Sequence, residues 1–361
     1  MRIHHARIHT ANLNLGVRYG RHRHLHRVSE RWLLIDWQLA ACGCIRSRAA
    51  GLSSTTALRL LSVASFASTA RGAVDLEFRL AIGTVRIRTR MRISYFTGRT
   101  ILITGASSGL GSEFARQLAR VAARLVLVAR RDDRLQALQT ELKAKNTALE
   151  VFVRSVDLRD QRELQSFCDW LDESGLAPDF LINNAGLGDH GPFIDSEWER
   201  VNSLLQVNIN ALTYLTFRVL PIIKKTGRGL ILNVSSIASF LPLPNNAVYA
   251  ATKAYVTSFS EAIRAELRSS NVSVTLLCPG PVTTDYLSHA TRAGDRAGHT
   301  APFLLVSVEE VVRQALDAAV KDRARVVPGA LVNFVMTIVG SLPMFIKRLV
   351  YRTRLSRSKP H

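Results

Sequence analysis

Tyr249 and Lys253 stand four residues apart in a segment with helical patterning. Positions i and i+4 share one helix face, so a phenol and an ammonium would lie side by side. A tyrosine hydroxyl titrates at about 10 and is a poor base at neutral pH. A neighbouring ammonium favours the phenolate and lowers that value. Such a pair can give a proton to a carbonyl oxygen, or take one from an alcohol, as a hydride moves. Lys253 can also hold a ribose hydroxyl of a cofactor. Alone, a Tyr-x3-Lys pair is more often plain surface packing. A hydroxyl to bind the reacting oxygen is offered by Ser235 or Ser236, at the end of the run Asn233-Val234-Ser235-Ser236. Either serine could equally serve only as a turn cap.

A second cluster has the types needed to cradle a pyrophosphate. The apolar run Thr100–Ile103 leads into Thr104-Gly105-Ala106-Ser107-Ser108-Gly109-Leu110-Gly111, and a helix follows. Glycines let the backbone turn sharply and approach phosphate, and a helix N-terminus offers free N–H groups at the positive dipole end. The G-x3-G-x-G spacing differs from the usual dinucleotide fingerprint. Its position after the first strand of a βαβ series carries the weight. The second strand ends Val128-Ala129-Arg130-Arg131, with no acid before Asp132. A carboxylate there would suit a ribose 2′-OH, and a guanidinium suits a 2′-phosphate. NADP is therefore expected, with Arg130 first and Arg131 second as phosphate ligand, and Ser107 as an added donor. The bland reading is two solvated arginines opening a helix.

The elements that must position these groups are regular from residue 99 onward. Strand-like runs occur at Thr100–Ile103, Leu125–Val128, Val151–Val153, Phe180–Ile182, Leu230–Val234, Val272–Leu277 and Arg325–Val327. Helical patterns lie between them, at about 109–122, 132–145, 160–173, 196–224, 248–269 and 307–321. Alternating strands and helices imply a parallel sheet, and near-continuous Val/Ile/Leu runs imply helices on both faces. The expectation is one doubly wound α/β domain of six to seven strands.

With these pieces in order, residues 98–330 resemble the short-chain dehydrogenase/reductase family. The matching strings are Thr104–Gly111, Asp157, Asn183-Asn184-Ala185-Gly186, Asn208, Ser236, Tyr249-x3-Lys253 and Pro279-Gly280-Pro281-Val282-Thr283-Thr284. Ser236 lies 13 residues before Tyr249, the family's spacing, which favours it over Ser235. The resemblance implies a Rossmann-type fold and a catalytic set of Asn208, Ser236, Tyr249 and Lys253. In it Asn208 acts through a water held by a kinked helix backbone. It also implies a cofactor site of Gly105, Ser107, Ser108, Gly109, Leu110 and Gly111, with Arg130 and Arg131. Asp157 with Leu158 would meet the adenine, and Asn184, Ala185 and Gly186 the adenosine side. Pro279, Gly280, Val282 and Thr284 would meet the nicotinamide end, besides Tyr249 and Lys253. Val-Ala-Arg-Arg, Val-Tyr-Ala-Ala-Thr-Lys-Ala and Cys-Pro-Gly-Pro are similar to a bacterial ketoacyl-reductase-like subgroup of general oxidoreductases. Members form dimers or tetramers through the helices that fall here near 196–224 and 248–269.

Composition limits the rest. The 361 residues are 47% hydrophobic and 21% charged, so bulk disorder is excluded. The net charge of +20 is uneven. Residues 1–90 hold 15 Arg, no Lys and 4 acids, a net of +11. They show no sustained period and match nothing in the family. Met91 is read as the true start, against the rival of a basic arm for nucleic acid or anionic lipid. The chain thus divides into an extension (1–90), a catalytic domain (91–328) and an apolar, then basic, tail (329–361). Cys42, Cys44, Cys168 and Cys278 form neither a disulfide framework nor a zinc site, which suits a reducing cytoplasm. No metal site is expected. No secretory signal is evident, and the transit-like composition of 38–74 is internal.

The pocket walls are expected at Gly188–Phe193, Leu241–Asn246 and 284–305, with Tyr286, Leu287, Pro302, Phe303 and Leu304. Their apolar character suits an aliphatic or cyclic ketone, aldehyde or secondary alcohol. His190 could touch substrate, but is read first as a solvent-facing loop residue. Residues 330–346 are too short and interrupted for a membrane span, but peripheral contact through 330–350 competes with a helix packing over the pocket or against a dimer partner. Two rivals remain. A non-catalytic NADP-binding regulator need not keep the four catalytic residues. A nucleic-acid binder using the basic arm is the other, but the chain offers neither interleaved aromatics nor a recognised module, and no nucleic-acid partner is expected.

Overall fold

The computed structural model describes residues 76–80, 83–87, 93–282 and 305–348, all within the unit Thr69–His361. Before residue 91 the described part is an antiparallel hairpin, β1 (Leu76–Leu80) with β2 (Gly83–Ile87). Leu76, Phe78 and Leu80 alternate with Glu77 and Arg79, as Val85 and Ile87 do with Thr84 and Arg86. Met91 and the remainder of 1–90 lie outside the described residues.

All seven expected strands form. They are β3 (Thr100–Thr104), β4 (Arg124–Ala129), β5 (Glu150–Ser155), β6 (Phe180–Asn183), β7 (Gly229–Val234), β8 (Val272–Leu277) and β9 (Arg325–Val326). They make one parallel sheet in the order β5-β4-β3-β6-β7-β8-β9. The order reverses between β3 and β6, which opens a crevice at the carboxyl ends of the strands.

Helices cover both faces. They are α1 (Gly109–Leu118), α2 (Asp132–Lys145), α3 (Gln161–Glu173), α4 (Trp198–Leu205), α5 (Leu212–Lys225), α6 (Ala247–Glu266), α7 (Val308–Val320) and α8 (Ala330–Ser341). Successive strand side chains point to opposite faces, so each strand feeds two cores. Ile101, Ile103, Leu125, Leu127, Phe180 and Ile182 pack with residues of α1, α2 and α7. Leu102, Val126, Val128, Leu181 and Ile231 pack with residues of α3, α5 and α6.

Local chemistry sets the helix starts. Asp160 caps α3 by accepting from the N–H groups of Arg162 and Glu163. Ser307 caps α7 by accepting from the Glu310 N–H, within the Ser-x-x-Glu pattern of a capping box. The expected helix 196–224 is interrupted by a π-helical turn at Gln206–Ala211. Such turns break the regular ladder and tend to mark functional positions. Before β3, Tyr95 stacks on Phe180 at 5.2 Å and Phe96 meets it edge-on at 5.5 Å. Phe180 is fully buried. Phe180→Ala is expected to cost about 3–5 kcal/mol, because it empties the centre of this cluster. A urea titration would check it, and a midpoint unchanged from the parent would contradict the packing described.

Candidate active site

Thr104 ends β3, and the chain turns at Gly105 (φ +66) and Gly109 (φ +55) before α1. Both angles lie in the left-handed region that favours glycine. Gly105 is also constrained by space, since a Cβ there would meet the Ala185 Cα at 2.8 Å. At Gly111 a Cβ would collide with the Gly105 carbonyl and lie 2.6 Å from Asn184 Nδ2. Asn184 straps β6 to this turn. Its Nδ2 donates to the carbonyls of Thr104 (3.0 Å) and Gly105 (3.3 Å). Thr104 Oγ1 accepts from the N–H groups of Asn184 and Ala185, both at 3.1 Å. Ser108 makes no side-chain cap bond at the start of α1. The first-turn N–H groups thus face the switch point, a donor set that fits a pyrophosphate.

The two arginines after β4 part company. Arg130 is exposed at the strand end. Arg131 precedes α2 and turns back, and its Nη2 donates to Ser107 Oγ (3.2 Å) and Ser108 Oγ (2.8 Å). Arg131, expected second to Arg130, is the guanidinium beside the glycine turn. A cleft of about 330 Å³ opens there, lined by Ser107, Ser108, Ser112, Arg116, Arg134 and Glu141 among others. Arg116 is paired with Glu141 at 3.0 Å, and that pairing and Lys145 pull the Glu141 carboxyl down to about 2. Asp157 is held below the usual carboxylate range by hydrogen bonds from Arg159. Leu158 is buried beside it.

Tyr249 and Lys253 lie in the first turns of α6, the face-sharing arrangement expected. Lys253 is buried, and its Nζ sits 5.9 Å from the Tyr249 ring centroid and donates to the Val234 carbonyl at 3.0 Å. Burial pulls its ammonium down to about 8. Gly186 closes against it. A Cβ there would lie 3.2 Å from Lys253 Nζ and 3.4 Å from Asn208 Oδ1.

Asn208 lies in the π-turn and is buried. Its Nδ2 donates to the Leu187 carbonyl (2.9 Å) and Thr252 Oγ1 (3.0 Å), and its Oδ1 accepts from the Leu187 N–H (2.8 Å). The side chain is therefore engaged in holding the loop after β6 against α6.

The two serines after β7 separate by their bonds. Ser235 is buried, with its hydroxyl donating to the Lys253 carbonyl (2.9 Å) and bonded to Thr257 Oγ1 (3.0 Å). Ser236 is half-buried, and its Oγ accepts from the Ala238 N–H at 3.1 Å, which leaves its own proton to give.

Two expected walls adjoin, because the Gly191 N–H donates to the Asn245 carbonyl at 2.8 Å. His190 is half-buried, not solvent-facing, and its Nδ1 is buried without a hydrogen-bond partner. Pro279 accepts from the Ile237 N–H at 3.0 Å, and Val282 is buried in a bridge to Val306. Gly280 faces α8, where a Cβ would lie 3.3 Å from Val332 Cγ1. Thr284 and the wall residues Tyr286, Leu287, Pro302, Phe303 and Leu304 lie outside the described residues. Cys168 and Cys278 are buried free thiols, pushed up by burial to about 11 and about 12.

Sequence reasoning missed the polar layer beneath the site. Asn183 Nδ2 donates to Asn233 Oδ1 (2.9 Å) and Thr216 Oγ1 (3.0 Å), and Asn233 Nδ2 donates to Ser260 Oγ (2.9 Å). It ties the ends of β6 and β7 to α5 and α6. The available signal was an asparagine at the end of two otherwise apolar strands.

The open glycine turn at the switch point and the buried Lys253–Asn208 cluster define a nucleotide-binding α/β protein of Rossmann type. A family model described as short chain dehydrogenase matches residues 99–294, more than half of the chain. Sulfoacetaldehyde reductase 2 of Chromohalobacter salexigens is 36% identical over 205 residues, 56% of this chain and 80% of that protein. A solved short-chain dehydrogenase from Sphingobium yanoikuyae in complex with NADPH is similar with a TM-score of 0.59 at 29% identity, covering 73% of this chain and 97% of that one. The fold is also that of a Burkholderia phymatum short chain dehydrogenase/reductase in complex with NAD, with a TM-score of 0.60 at 24% identity over 67% and 92% of the two chains. The protein belongs to the short-chain dehydrogenase family, and is a nicotinamide-dependent oxidoreductase acting on CH–OH or C=O groups.

Lys253→Met tests the buried ammonium. Its folded value of about 8 lies below the ordinary 10.5. Between those pH values the unfolded chain binds the extra proton, so this group makes stability rise with pH across that window. Below it the charged group is a standing cost. The variant is expected to be inactive yet more stable at pH 7, by up to about 3 kcal/mol before the lost bond to Val234 is subtracted. The gap should close as pH rises from about 8 toward 10.5. Urea midpoints at pH 7 and 10 measure it, and a pH-independent difference would rule the cost out.

Proposed function

We propose that this protein is an NADP(H)-dependent oxidoreductase. It moves a hydride between nicotinamide and an apolar ketone, aldehyde or secondary alcohol, with Tyr249 as general acid and base. The observation that carries the reading is the convergence of Lys253, Asn208 and Gly186 beside Tyr249, at strand ends where Ser236 keeps a proton to donate. Bound nicotinamide supplies or accepts the hydride. Tyr249 gives its hydroxyl proton to the carbonyl oxygen in reduction and takes the alcohol proton in oxidation. Ser236 donates to the same oxygen and fixes its position. The Lys253 ammonium stabilises the phenolate. Asn208, its side chain occupied, would act through the distorted backbone of the π-turn.

The chain's residues fit the dinucleotide along the crevice. Gly105, Gly109, Leu110 and Gly111 would hold the pyrophosphate, Asp157 and Leu158 the adenine, and Asn184, Ala185 and Gly186 the adenosine side. Pro279, Gly280, Val282 and Thr284 would meet the nicotinamide end. For the 2′-phosphate, Arg131 with Ser107 and Ser108 replaces Arg130 as the preferred site, on its hydrogen bonds to both hydroxyls. The NADPH complex of the Sphingobium relative favours the same cofactor. An aldehyde in the name of the Chromohalobacter relative favours reduction of a carbonyl.

Homodimer or homotetramer assembly is part of this reading, through α5 and α6, where Phe217 and Tyr255 are exposed. So is a cytoplasmic location. Among the described residues no helix is long and apolar enough to cross a membrane. A catalytic domain beginning at Met91 also belongs to it, since Tyr95 and Phe96 already pack beneath β6. Membrane contact through 330–350 rests on a separate surface, the exposed face of α8.

A panel of ketones and aldehydes, with NADPH oxidation followed by absorbance, tests the activity. Tyr249→Phe is expected to lower kcat about 100-fold to 10,000-fold while NADPH binding persists. Undiminished turnover in that variant would remove Tyr249 from the chemistry. Arg131→Ala should raise KM for NADPH about 10-fold to 100-fold and leave KM for NADH nearly unchanged, as expected for the loss of charged hydrogen bonds to a phosphate. Equal effects on the two cofactors would refute the 2′-phosphate assignment.

A further inference from the structure

Helix α8 has two apolar faces, and only one is covered. Val332 and Met336 are buried, and with Val339 they pack on Leu212, Val256, Leu276, Cys278 and Ile237. The neighbouring face carries Leu331, Phe334, Val335 and Ile338, exposed by 49%, 64%, 40% and 49%, at the i, i+3, i+4, i+7 spacing of one helix stripe. Met344 (46%) and Phe345 (70%), just after the helix, are also exposed. No charged residue interrupts the chain from Val326 to Ile346. An uncharged, water-facing stripe of this kind marks an interaction surface.

The flanking charge identifies the partner. From Arg323 to His361 the sequence holds 8 basic residues and no acid. Lys347 is drawn inward, its Nζ donating to the Gly340 carbonyl at 3.2 Å, and so closes the end of α8. Arg323, Arg325 and Arg348, which flank α8 in the sequence, are exposed. Two copies of this chain meeting through the stripe would bring two such cationic segments together, and like charges oppose that. An anionic lipid surface accepts both features at once: apolar side chains enter the acyl boundary and the cations meet the headgroups.

We infer that the exposed face of α8, with the basic residues that flank it, docks the protein peripherally on an anionic bilayer. The helix lies in the interface plane and does not span. Its inner face packs on Ile237 and abuts Gly280, so docking would set the membrane beside the substrate-binding side of the domain. The inference rests on α8 alone, and its test needs no turnover.

The full chain is mixed with vesicles of phosphatidylcholine containing 30% phosphatidylglycerol, and with vesicles of phosphatidylcholine alone, then sedimented. Binding to the anionic vesicles, at least tenfold weaker on the neutral ones and weakened by added salt, is expected. The triple variant Leu331→Ser, Phe334→Ser, Ile338→Ser should lose at least tenfold in vesicle affinity, and its melting temperature reports that it is folded. Should it fail to fold, Phe334→Asp alone replaces it. No binding of the parent chain to anionic vesicles overturns the inference, as does equal binding by the folded variant. Light scattering decides the remaining rival. A parent oligomer that dissociates in the variant, without vesicle binding by either, assigns the stripe to a second copy and overturns the membrane reading.

Discussion

An ammonium taken out of water is the constraint around which this domain is arranged. Lys253 is buried at the carboxyl end of β7, where the Val234 carbonyl accepts its proton at 3.0 Å. Desolvation disfavours the charge, and the carbonyl only partly offsets it. The neighbourhood is shaped to tolerate this group. Gly186 leaves room for it that any side chain would take, and Ser235 bonds the Lys253 carbonyl and steadies the first turn of α6. Tyr249, one turn earlier on the same helix, is placed by the same packing.

Polar groups at the strand ends give this cluster its rigidity. Asn183 and Asn233 stand opposite each other in the β6–β7 register and are hydrogen-bonded through a side-chain amide. Each also reaches a helix hydroxyl, Thr216 on α5 and Ser260 on α6. Asn208 does the same work one layer higher, between the β6 loop and Thr252. Asn184 joins that loop to the glycine turn. The glycine turn and the Lys253–Asn208 cluster are thus linked through asparagines, whose amides can donate and accept at once. Most of these buried groups are paired, and the exception is Asn183 Oδ1, which is buried without a hydrogen-bond partner.

The C-terminal helix divides its side chains between two duties. Val332 and Met336 complete a small core against Cys278 and Leu276, close to Gly280. The outward stripe adds nothing to that core and would be unfavourable in water without a partner. One short helix therefore packs beside Gly280 and offers a separate surface.

The sequence alone determined the strands and their parallel arrangement. Apolar runs of strand length and the glycine-rich turn are local signals, and Tyr249 and Lys253 share a face by helix geometry alone. Even Asp132–Lys145 ends where its pattern does. What needed the tertiary structure was every choice between neighbours. Arg131, not Arg130, turns to the glycine loop, because the residue opening α2 points back toward Ser107 and Ser108. Ser236 rather than Ser235 keeps a proton to give, because Ser235 is consumed by α6. The π-turn at Asn208 and the division of α8 into a buried and an exposed face follow from contacts distant in sequence. Adjacent residues of similar chemistry look alike in a sequence; only the packed chain decides which of them faces its partner.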